Sequence, residues 1–375
     1  MKFSFSAEQD EFRGNLRRLL AERVPTKEVR RLMESATGWE RAGWRQLDTA
    51  LGLSAIAIPE EHGGYGFGFA ELCIVLEEFG RALVPAPYLA TALAARAILH
   101  GGCDADRASL LPGIATGDTI ATLASAEDSG SWEAAATTLT ATPSGDAFRL
   151  DGHKSFVMDG ASADLILLLA RAPGSTGEAG LSLFAVDGTA AGLIRTPLPV
   201  MDPTRRLARL TFAGVPARLI GTEGAAALPY RRTMMESAAA LANEMVGGAE
   251  RLREDALAYA MMRMQFGRTI ASFQSMKHKQ AEMLLEVELA KSAAYYAAAA
   301  IDEGDEDAEA VASLAKAGAA DAYVQTAIHA IQIHGGIGFT WDNDTHLWFK
   351  RAKSSEVLFG DGQHHREIMM RNWAA

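Results

Sequence analysis

The spacing of apolar residues changes twice along the chain, and this order limits the folds that the sequence can adopt. From Ser6 to about Thr116 apolar residues recur every three or four positions, which indicates amphipathic helices. After Gly224 the same helical pattern returns and continues to the C-terminal end. Short β-branched and alternating segments lie between them. The sequence therefore predicts an α+β protein with an N-terminal helical domain over 1–118, a middle β-domain over 119–224 and a C-terminal four-helix bundle over 225–375.

The middle block contains several short strands that are separated by turn signals. Leu139–Thr142 and Ala147–Leu150 flank the sequence Pro-Ser-Gly-Asp, which is typical of a β-hairpin. Further strands are predicted at Leu165–Leu169, Leu181–Val186 and Leu207–Phe212. Such a set of strands suits a small β-domain of roughly 100 residues. In the N-terminal block, the glycine-rich segment Ile58–Gly66 predicts an ordered loop between helices.

The composition excludes several classes of partner. The chain has 375 residues and is 49% apolar, which is enough for two or three cores of ordinary size. Its formal net charge of −11 repels phosphate backbones and acidic lipid surfaces, so we expect no nucleic acid partner. The opening segment is charged throughout and lacks the apolar stretch of a secretion signal. We expect a soluble, cytoplasmic protein without a membrane partner.

Neither a metal site nor a familiar nucleotide motif is visible in the sequence. Cys73 and Cys103 are the only cysteines, and they lack CxxC spacing and histidine partners, which argues against a disulfide framework or a zinc site. The order of helical and β-blocks is not that of a doubly wound nucleotide fold, and neither GxGxxG nor GxxxxGK[ST] is present. A flavin or nucleotide must therefore be bound by another architecture.

Two motifs in the C-terminal half carry the most specific information. The first is RMQFGRTIASFQSMKH, from Arg263 to His278. The second is QIHGGIGFT, from Gln332 to Thr340. They resemble the RxxFGxxIxxFQxxKH and QxxGGxGF segments of the acyl-CoA dehydrogenases, in the same order and at the usual separation. The chain is thereby identified as a divergent member of this FAD-dependent family.

Weaker matches to the same family extend over nearly the whole chain. They are the Glu8–Arg13 opening, the Pro59–Gly66 loop, Gly152–Phe156 and the exit from the β-domain at Val215–Gly221. The family fold consists of a helical domain, a β-domain and a helical bundle. The resemblance and the apolar periodicity therefore predict the same architecture.

The resemblance implies an FAD site that is built largely from the two motifs. The pyrophosphate of FAD is an anion, and Arg263 can form a forked, charge-assisted pair with it. Glycines at 335 and 336 leave room for main-chain N–H groups to reach phosphate oxygens. In the family the arginine and glutamine of one subunit serve a flavin held by its neighbour. This implies a homodimer or tetramer in which the residues acting across the interface are Arg263, Phe266, Gln274, Gln332 and Gly336. The residues predicted to bind FAD are Arg263, Phe266, Phe273, Gln274, Gln332, Gly335 and Gly336.

A simpler interpretation of these residues also exists. Arg263 would be a surface cation, and Gly335 and Gly336 would only end a helix. The shared order and spacing of the two motifs favour the FAD interpretation. Lys277 and His278 are predicted to be structural, because a single histidine on a helix is usually a satisfied polar group.

The β-domain departs from the family pattern near the expected flavin ring. Ser125–Trp132 matches only part of the family sequence TEPxAGSD, with Ala126 at the threonine position. Phe156-Val157-Met158 replaces W-[IV]-[TS], so the side-chain hydroxyl is missing and only backbone groups can replace its hydrogen bond. The resemblance therefore implies altered or weaker binding of the ring.

The residue expected to abstract the α-proton is also absent. Acyl-CoA dehydrogenation needs a carboxylate, which most relatives carry as a glutamate near the C-terminus, where this chain has Phe359. A minority of relatives carry it 26 residues before the motif arginine, where this chain has Ser237. Glu236 is adjacent to Ser237, and Glu244 lies seven residues beyond it on nearly the same helix face. Glu244 and Glu236 are the predicted catalytic residues.

Each candidate base also has an ordinary structural interpretation. Glu236 would be a solvated acid in the first helical turn, Glu244 a buried polar partner and Asp361 a turn residue. His364 and His365 complete the candidates and would otherwise be surface polar groups. A buried glutamate with a raised pKa would favour Glu244 or Glu236.

Three functions are consistent with the sequence. The first is an acyl-CoA dehydrogenase that oxidises an acyl-CoA thioester to the 2,3-enoyl-CoA, with Glu244 or Glu236 as base and an electron-transfer flavoprotein as acceptor. The second is a non-catalytic or half-competent subunit of a heteromeric acyl-CoA dehydrogenase, which contributes Arg263 and Gln274 to a flavin in a partner chain. The third is a flavin oxidase or monooxygenase on the same fold, which needs no α-proton base.

The sequence leaves the acyl group open. Branched, aromatic and steroid-derived chains are all possible, since pocket depth depends on helix packing. Arg231 and Arg232 are candidate partners for the 3′-phosphate of CoA.

Overall fold

A computed structural model describes residues 5–145 and 147–374. In sequence order, a β-region lies between an N-terminal and a C-terminal set of helices. The N-terminal helices are α1 (Ala7–Arg23), α2 (Thr26–Met33), α3 (Arg41–Leu51), α4 (Phe69–Ala82), α5 (Tyr88–Gly101) and α6 (Asp104–Ala115). The middle strands are β1 (Ala121–Ala124), β2 (Thr140–Ser144), β3 (Ala147–Met158), β4 (Leu165–Arg171), β5 (Leu181–Asp187), β6 (Leu193–Pro197) and β7 (Leu207–Ile220). The C-terminal elements are α7 (Ala227–Met262), β8 (Met264–Gln265), β9 (Arg268–Thr269), α8 (Gln274–Glu303), α9 (Ala308–His334), α10 (Thr345–Val357) and α11 (Gly362–Ala374). This order confirms the predicted α+β class.

Local sequence explains how the helices begin and which faces they bury. Ser6 caps α1: its side chain accepts the N–H of Gln9, whose own side chain accepts the N–H of Ser6 in return. Leu16 and Leu20 then lie on one buried face of α1. In α9, alanines are buried on most sides of the helix, because a small side chain lets neighbouring helices approach closely. Helix α9 packs against α8, α10 and α11.

The middle strands form one sheet whose pairings return on themselves. β4 pairs with β5, β5 with β7, β7 with β3, β3 with β2, and β2 again with β4. Every residue of β4 is buried, as its continuous apolar sequence Leu165–Leu169 predicts. Ser144 pairs with Ala147, which confirms the predicted hairpin between β2 and β3. Asp146, in the predicted turn, lies outside the described residues.

The chain divides into two compact units. One unit comprises 1–31, 69–84 and 238–375, and the other comprises 32–68 and 85–237. In the second unit α5 and α6 cover the sheet, where Ile98 and Leu111 join the same apolar cluster as Leu167. The Ile58–Gly66 loop of this unit is ordered around a short 3₁₀ turn. Gly64 is required there, because a Cβ at this position would lie 1.9 Å from the carbonyl oxygen of Ile58.

None of the helices among residues 5–145 and 147–374 is both long enough and apolar enough to cross a membrane.

Candidate flavin and proton-transfer site

A strained hairpin follows the end of α7 and exposes an aromatic side chain. Strands β8 and β9 pair antiparallel, with Phe266 and Gly267 as the two connecting residues. Both residues have positive φ, 52° and 75°, which a two-residue turn of type I′ requires. Glycine adopts this conformation freely, but phenylalanine rarely does. Phe266 is 91% exposed, so its own chain does not cover the ring. A strained, exposed aromatic residue is typical of a contact made outside its own subunit.

Phe273 supports this hairpin. It precedes the first residue of α8 and is half-buried. The Arg268 guanidinium lies 4.0 Å from the centroid of its ring, and the ring of Phe266 meets it edge-on at 6.1 Å. This cation–π contact orders the hairpin next to the start of α8. Phe273 therefore packs against the ring of Phe266 and helps to hold the hairpin tip.

Arg263 and Gln274 present polar groups that their own chain leaves available. Both are exposed, and neither side chain makes a hydrogen bond or ion pair with any residue that the structure describes. Arg263 is fixed only through its backbone, where its N–H donates to Tyr259 and its carbonyl accepts from Ile270. A free guanidinium and a free amide suit a phosphate group. The donor set therefore fits the pyrophosphate of FAD.

The second motif lies at the C-terminal end of α9. Gln332 is exposed, and its Oε1 accepts a hydrogen bond from Lys279 Nζ at 3.2 Å. Lys279 is a cation on α8 that sequence reasoning missed, because it belongs to neither motif pattern. It adds positive charge next to Gln332. An anion at this position would therefore meet a cation as well as an amide.

The two motif glycines have different roles. Gly335 has φ 66° and ends α9, since its N–H donates to the carbonyls of Ile331 and Gln332. This N–H is therefore engaged within the helix, and the simpler interpretation of a helix C-cap describes Gly335. Gly336 is exposed, and a Cβ built there would meet only open space. No packing contact requires a glycine at 336 among the described residues, which leaves room for close approach of a ligand.

The β-domain positions near the expected flavin ring are shaped by backbone bonds. Met158 is buried, and its carbonyl accepts the hydroxyl of Thr122 at 2.6 Å. The carbonyl of Ala126, also buried, accepts the N–H of Ser155. Phe156 is 39% exposed and has a positive φ of 57° at an irregularity in the pairing of β3 with β7. Phe156 is thus held outward by a bulge in the strand.

The residue at the expected base position is apolar and buried. Phe359 lies between α10 and α11 with 4% of its surface exposed and φ 60°. Its ring has no group that can accept a proton. The neighbouring Asp361 is exposed and caps α11, where its Oδ1 accepts the N–H of His364 at 2.8 Å. Asp361 therefore has a structural partner of its own.

Glu236 is buried and paired with cations. Arg96 donates to its two oxygens at 2.7 and 2.5 Å, and His100 Nε2 lies 2.9 Å from Oε1. Burial alone raises the pKa of Glu236, but the contacts with Arg96 and His100 outweigh it, so the pKa lies below its usual value. This direction is opposite to the raised pKa that favours a base. Ser237, the next residue, is buried with its hydroxyl bonded to the carbonyl of Thr233.

Glu244 is likewise held in a buried ion pair. Arg351 Nη1 of α10 lies 2.6 Å from its Oε1, and the two side chains are 5% and 6% exposed. Such a charge-assisted hydrogen bond fixes the direction of the carboxylate. Arg351 belongs to no motif, so sequence reasoning did not identify this partner. The structure thus places both predicted bases against arginines.

Two histidines follow Phe359, and one of them contacts a backbone carbonyl. His365 is buried, with Nε2 3.1 Å from the carbonyl oxygen of Phe359 and Nδ1 3.3 Å from the hydroxyl of Ser313. Burial, reinforced by the nearby charge of Lys316, lowers the pKa of His365 to about 3. A neutral imidazole of such low basicity is a poor proton acceptor. His364, half-exposed, stacks edge-on against it.

Metal ligands are not grouped in this structure. Among residues 5–145 and 147–374 no cluster of three or more His, Cys, Asp or Glu side chains is arranged to hold a metal ion. Neither Cys73 nor Cys103 forms a disulfide with a residue that the structure describes.

Comparison with known proteins decides the family. Three family models match in order along the chain: the N-terminal, middle and C-terminal domains of acyl-CoA dehydrogenase, over residues 6–118, 121–215 and 230–374. The acyl-CoA dehydrogenase IpdE2 of Mycolicibacterium smegmatis is 33% identical over 356 residues, which are 95% of this chain and 95% of that protein. The chain belongs to the acyl-CoA dehydrogenase family. The resemblance that the two motifs indicated is confirmed.

Solved structures of the family share this fold over its full length. A variant of the Tcur3481-Tcur3483 steroid ACAD is 30% identical, with a TM-score of 0.88 and 98% of each chain covered. The ChsE4-ChsE5 complex from Mycobacterium tuberculosis is 25% identical, with a TM-score of 0.88, and the match covers 100% of this chain and 99% of that one. Acyl-CoA dehydrogenases are flavoprotein oxidoreductases, and this chain has their helical, β and helical domains in order.

Proposed function

We propose that this chain acts in the FAD-dependent oxidation of an acyl-CoA thioester to the 2,3-enoyl-CoA, with an electron-transfer flavoprotein as the acceptor. The observation that carries the proposal is a pair of polar side chains, Arg263 and Gln274, that have no partner among the described residues and lie in the motif of the exposed Phe266. When FAD is bound, its isoalloxazine ring supplies the acceptor for the β-hydride. The chain's own residues have to bind and orient the flavin and the thioester.

The motif residues divide this work between them. Arg263 would pair with a phosphate of the pyrophosphate, and Gln274 would donate or accept through its amide. Gln332 and Lys279, 3.2 Å apart, would bind the other side of the anion. Phe266, at the hairpin tip, would cover apolar surface of a neighbouring subunit. Because all of these groups face outward from a single chain, the flavin site needs a second subunit.

We further propose that this second subunit is a different chain, so that the protein is a half-competent member of a heteromeric acyl-CoA dehydrogenase. Phe359 cannot abstract a proton, and Glu236 and Glu244 are each paired with an arginine. A base must be able to bind the α-proton when the thioester is in place. The contacts with Arg96 and His100 hold the pKa of Glu236 below its usual value, which makes it a weaker proton acceptor, and Arg351 occupies the Glu244 carboxylate. The relatives Tcur3481-Tcur3483 and ChsE4-ChsE5 each bear the names of two chains, which supports a mixed assembly here.

A homomeric enzyme with Glu244 as base is the second candidate. One observation favours it: Glu244 is a buried carboxylate, 4% exposed, and Arg351 Nη1, 2.6 Å from its Oε1, holds it in one direction. In that case the thioester must displace Arg351 before proton transfer. Glu244→Gln would then abolish turnover without changing flavin content.

For the substrate we propose a steroid-derived acyl group in the cytoplasm. The Tcur3481-Tcur3483 structure is of a steroid ACAD, and its match covers 98% of this chain, so the same class of substrate is the first to test. A CoA thioester with a short straight chain is the natural comparison substrate.

Anaerobic mixing tests the proposed reaction. In the flavin-loaded assembly, a steroid-derived acyl-CoA thioester is expected to bleach the flavin absorbance near 450 nm, as roughly one two-electron reduction per FAD. Glu244→Gln is expected to bleach like the wild type if the base lies in the partner chain. Loss of bleaching in Glu244→Gln, with flavin content unchanged, would establish the homomeric candidate. Reduction by a nicotinamide but not by any thioester would contradict dehydrogenation and indicate an oxidase or monooxygenase.

A further inference from the structure

The turn between α10 and α11 holds a phenylalanine in an unfavourable backbone conformation. Phe359 has φ 60° and Gly360 has φ 107°, so two consecutive residues lie in the left-handed region. Glycine occupies that region without strain, but a side chain with a Cβ does so rarely. The side chain of Phe359 is also 4% exposed, so it is packed and cannot relax into solvent. Something in the surrounding structure must impose this conformation.

Two buried donors bind the carbonyl oxygens of this turn. Lys316 of α9 is fully buried, and its ammonium donates to the carbonyls of Glu356 at 3.1 Å and Gly360 at 2.8 Å. His365 of α11 is 3% exposed, and its Nε2 lies 3.1 Å from the carbonyl oxygen of Phe359. The carbonyls of residues 356, 359 and 360 are thereby fixed from two helices.

The geometry of the imidazole is fixed as well. Its Nδ1 lies 3.3 Å from the hydroxyl of Ser313, one turn before Lys316 on the same face of α9. Because His365 is neutral at physiological pH, its Nε2 can carry the proton that bonds the Phe359 carbonyl while Nδ1 accepts from Ser313. Lys316 and Ser313 thus present both contacts from one helix face.

Burying an ammonium group is strongly unfavourable unless the group is hydrogen-bonded. At an ordinary exposed turn, water forms the hydrogen bonds to the carbonyl oxygens, so no buried ammonium group is needed there. The bonds from Lys316 and His365 go to backbone oxygens, so they act in the same way whatever side chain stands at position 359.

We propose that Lys316 and His365 are positioning residues, which clamp the turn so that the side chain at 359 is presented to the acyl group in one fixed direction. In this chain the clamp presents the ring of Phe359, which makes Phe359 a residue that shapes acyl specificity. The presentation to the acyl group rests on the proposed function. The clamp itself does not, because it depends only on contacts within this chain.

Glycine and alanine variants test the clamp without any ligand. Because residue 359 has a left-handed conformation, glycine should be favoured there over alanine. The folding equilibrium constant of Phe359→Gly is expected to be roughly 2- to 10-fold larger than that of Phe359→Ala. This range already allows for the greater freedom of glycine in the unfolded chain. Leu358 is the matched control, since it is equally buried but has φ −67° and ψ 133°. There the order should reverse, with alanine more stable than glycine. Urea unfolding of the four variants measures both ratios.

Removing the clamp should remove the preference for glycine. In a Lys316→Met background, and separately in His365→Leu, the Gly-to-Ala ratio at 359 is expected to fall to about 1 or below. A residue with a merely structural role would destabilise both variants equally and leave the ratio unchanged. An unchanged ratio in both backgrounds, or an alanine variant more stable than the glycine variant in the wild type, overturns the clamp. If Lys316→Met fails to fold, the His365→Leu background decides the question.

The role in the reaction has its own measurement. In the flavin-loaded assembly, His365→Leu is expected to slow thioester-driven bleaching by about tenfold or more at unchanged flavin content. Unchanged bleaching together with a lost preference for glycine would overturn the presentation of residue 359 to the acyl group. If the wild type shows no thioester-driven bleaching, the proposed function fails, and the Gly-to-Ala ratio still decides the clamp.

Discussion

Replacing Arg351 by methionine removes the guanidinium from a buried ion pair, while the Glu244 carboxylate stays buried. The two side chains are 5% and 6% exposed, and Arg351 Nη1 lies 2.6 Å from Glu244 Oε1. Removing one partner of a buried pair costs about 3–5 kcal/mol, because the remaining charge has lost both water and its counter-ion. We therefore expect Arg351→Met to lower the free energy of unfolding by about 3–5 kcal/mol. The double variant Arg351→Met, Glu244→Met should regain most of this loss, since no buried charge is left.

Urea unfolding at neutral pH, followed by far-ultraviolet circular dichroism, measures all members of this cycle under one condition. Arg366→Met is the matched control, because Arg366 pairs with Asp321 at the surface, where the side chains are 55% and 62% exposed. That variant should lose about 0–1 kcal/mol. Losses for Arg351→Met and Glu244→Met that simply add in the double variant would refute the coupling. So would a loss for Arg351→Met no larger than that of the surface control.

Three further predictions concern separate residues. Because the folded-state pKa of Glu236 lies below its unfolded value, its stabilising contribution is present above the unfolded pKa and is lost as the pH falls through the folded pKa. The stability gap between wild type and Arg96→Met should therefore narrow from about pH 5 to pH 3, as measured by thermal unfolding. Arg263→Gln should weaken FAD binding by roughly tenfold or more in a fluorescence titration and leave the melting temperature unchanged, since its side chain has no partner in the part of the chain that the structure describes. Phe266→Asn should leave the isolated chain at least as stable, because asparagine tolerates positive φ, yet weaken assembly in sedimentation analysis.

Clear results would contradict each of these. A stability gap for Arg96→Met that widens toward low pH would mean that the Glu236 carboxylate is not stabilised in the folded state. A melting temperature lowered by Arg263→Gln would show a structural role within the chain, and Arg366→Gln is the control for a loss of surface charge. Unchanged assembly of Phe266→Asn would remove the hairpin tip from the subunit contact.

The sequence predicted the architecture because short-range patterns determine it. Helical spacing marks the amphipathic faces, and the continuous apolar segment Leu165–Leu169 marks a strand that is covered on both sides. The hairpin at Phe266 was also readable in principle, since a residue followed by glycine between two extended pairs predicts a tight turn. Its exposure was not readable, because a phenylalanine in a motif is more often part of a core.

The partners of the acidic residues could not be predicted from the sequence. Arg96 lies 140 positions from Glu236, and Arg351 lies 107 positions from Glu244. No local pattern links residues so far apart, since only the packed fold brings them together. The contact between Lys316 and the turn at Phe359 also joins distant positions and could not be predicted. A glutamate at the right helical register looks like a free base in the sequence, whereas its chemistry depends on the cation that the fold places beside it.

Gly335 shows how the fold adds a role that a motif does not reveal. The resemblance implied that the glycines at 335 and 336 leave room for main-chain N–H groups to reach phosphate oxygens. In the structure the N–H of Gly335 itself closes the last turn of α9, and the positive φ of 66° explains why glycine is needed. A Cβ added at either glycine would meet only open space, so the room for a phosphate stays a proposal.

We propose that this chain carries the flavin-facing residues of an acyl-CoA dehydrogenase but completes its site only with a different subunit. The most direct test is the FAD content of the purified chain alone, determined from its absorbance spectrum and its protein concentration. We expect well below one FAD per chain, and a rise to about one FAD for every two chains when the chain is purified in its mixed assembly. One tightly bound FAD per chain in a homo-oligomer that a thioester bleaches would contradict it.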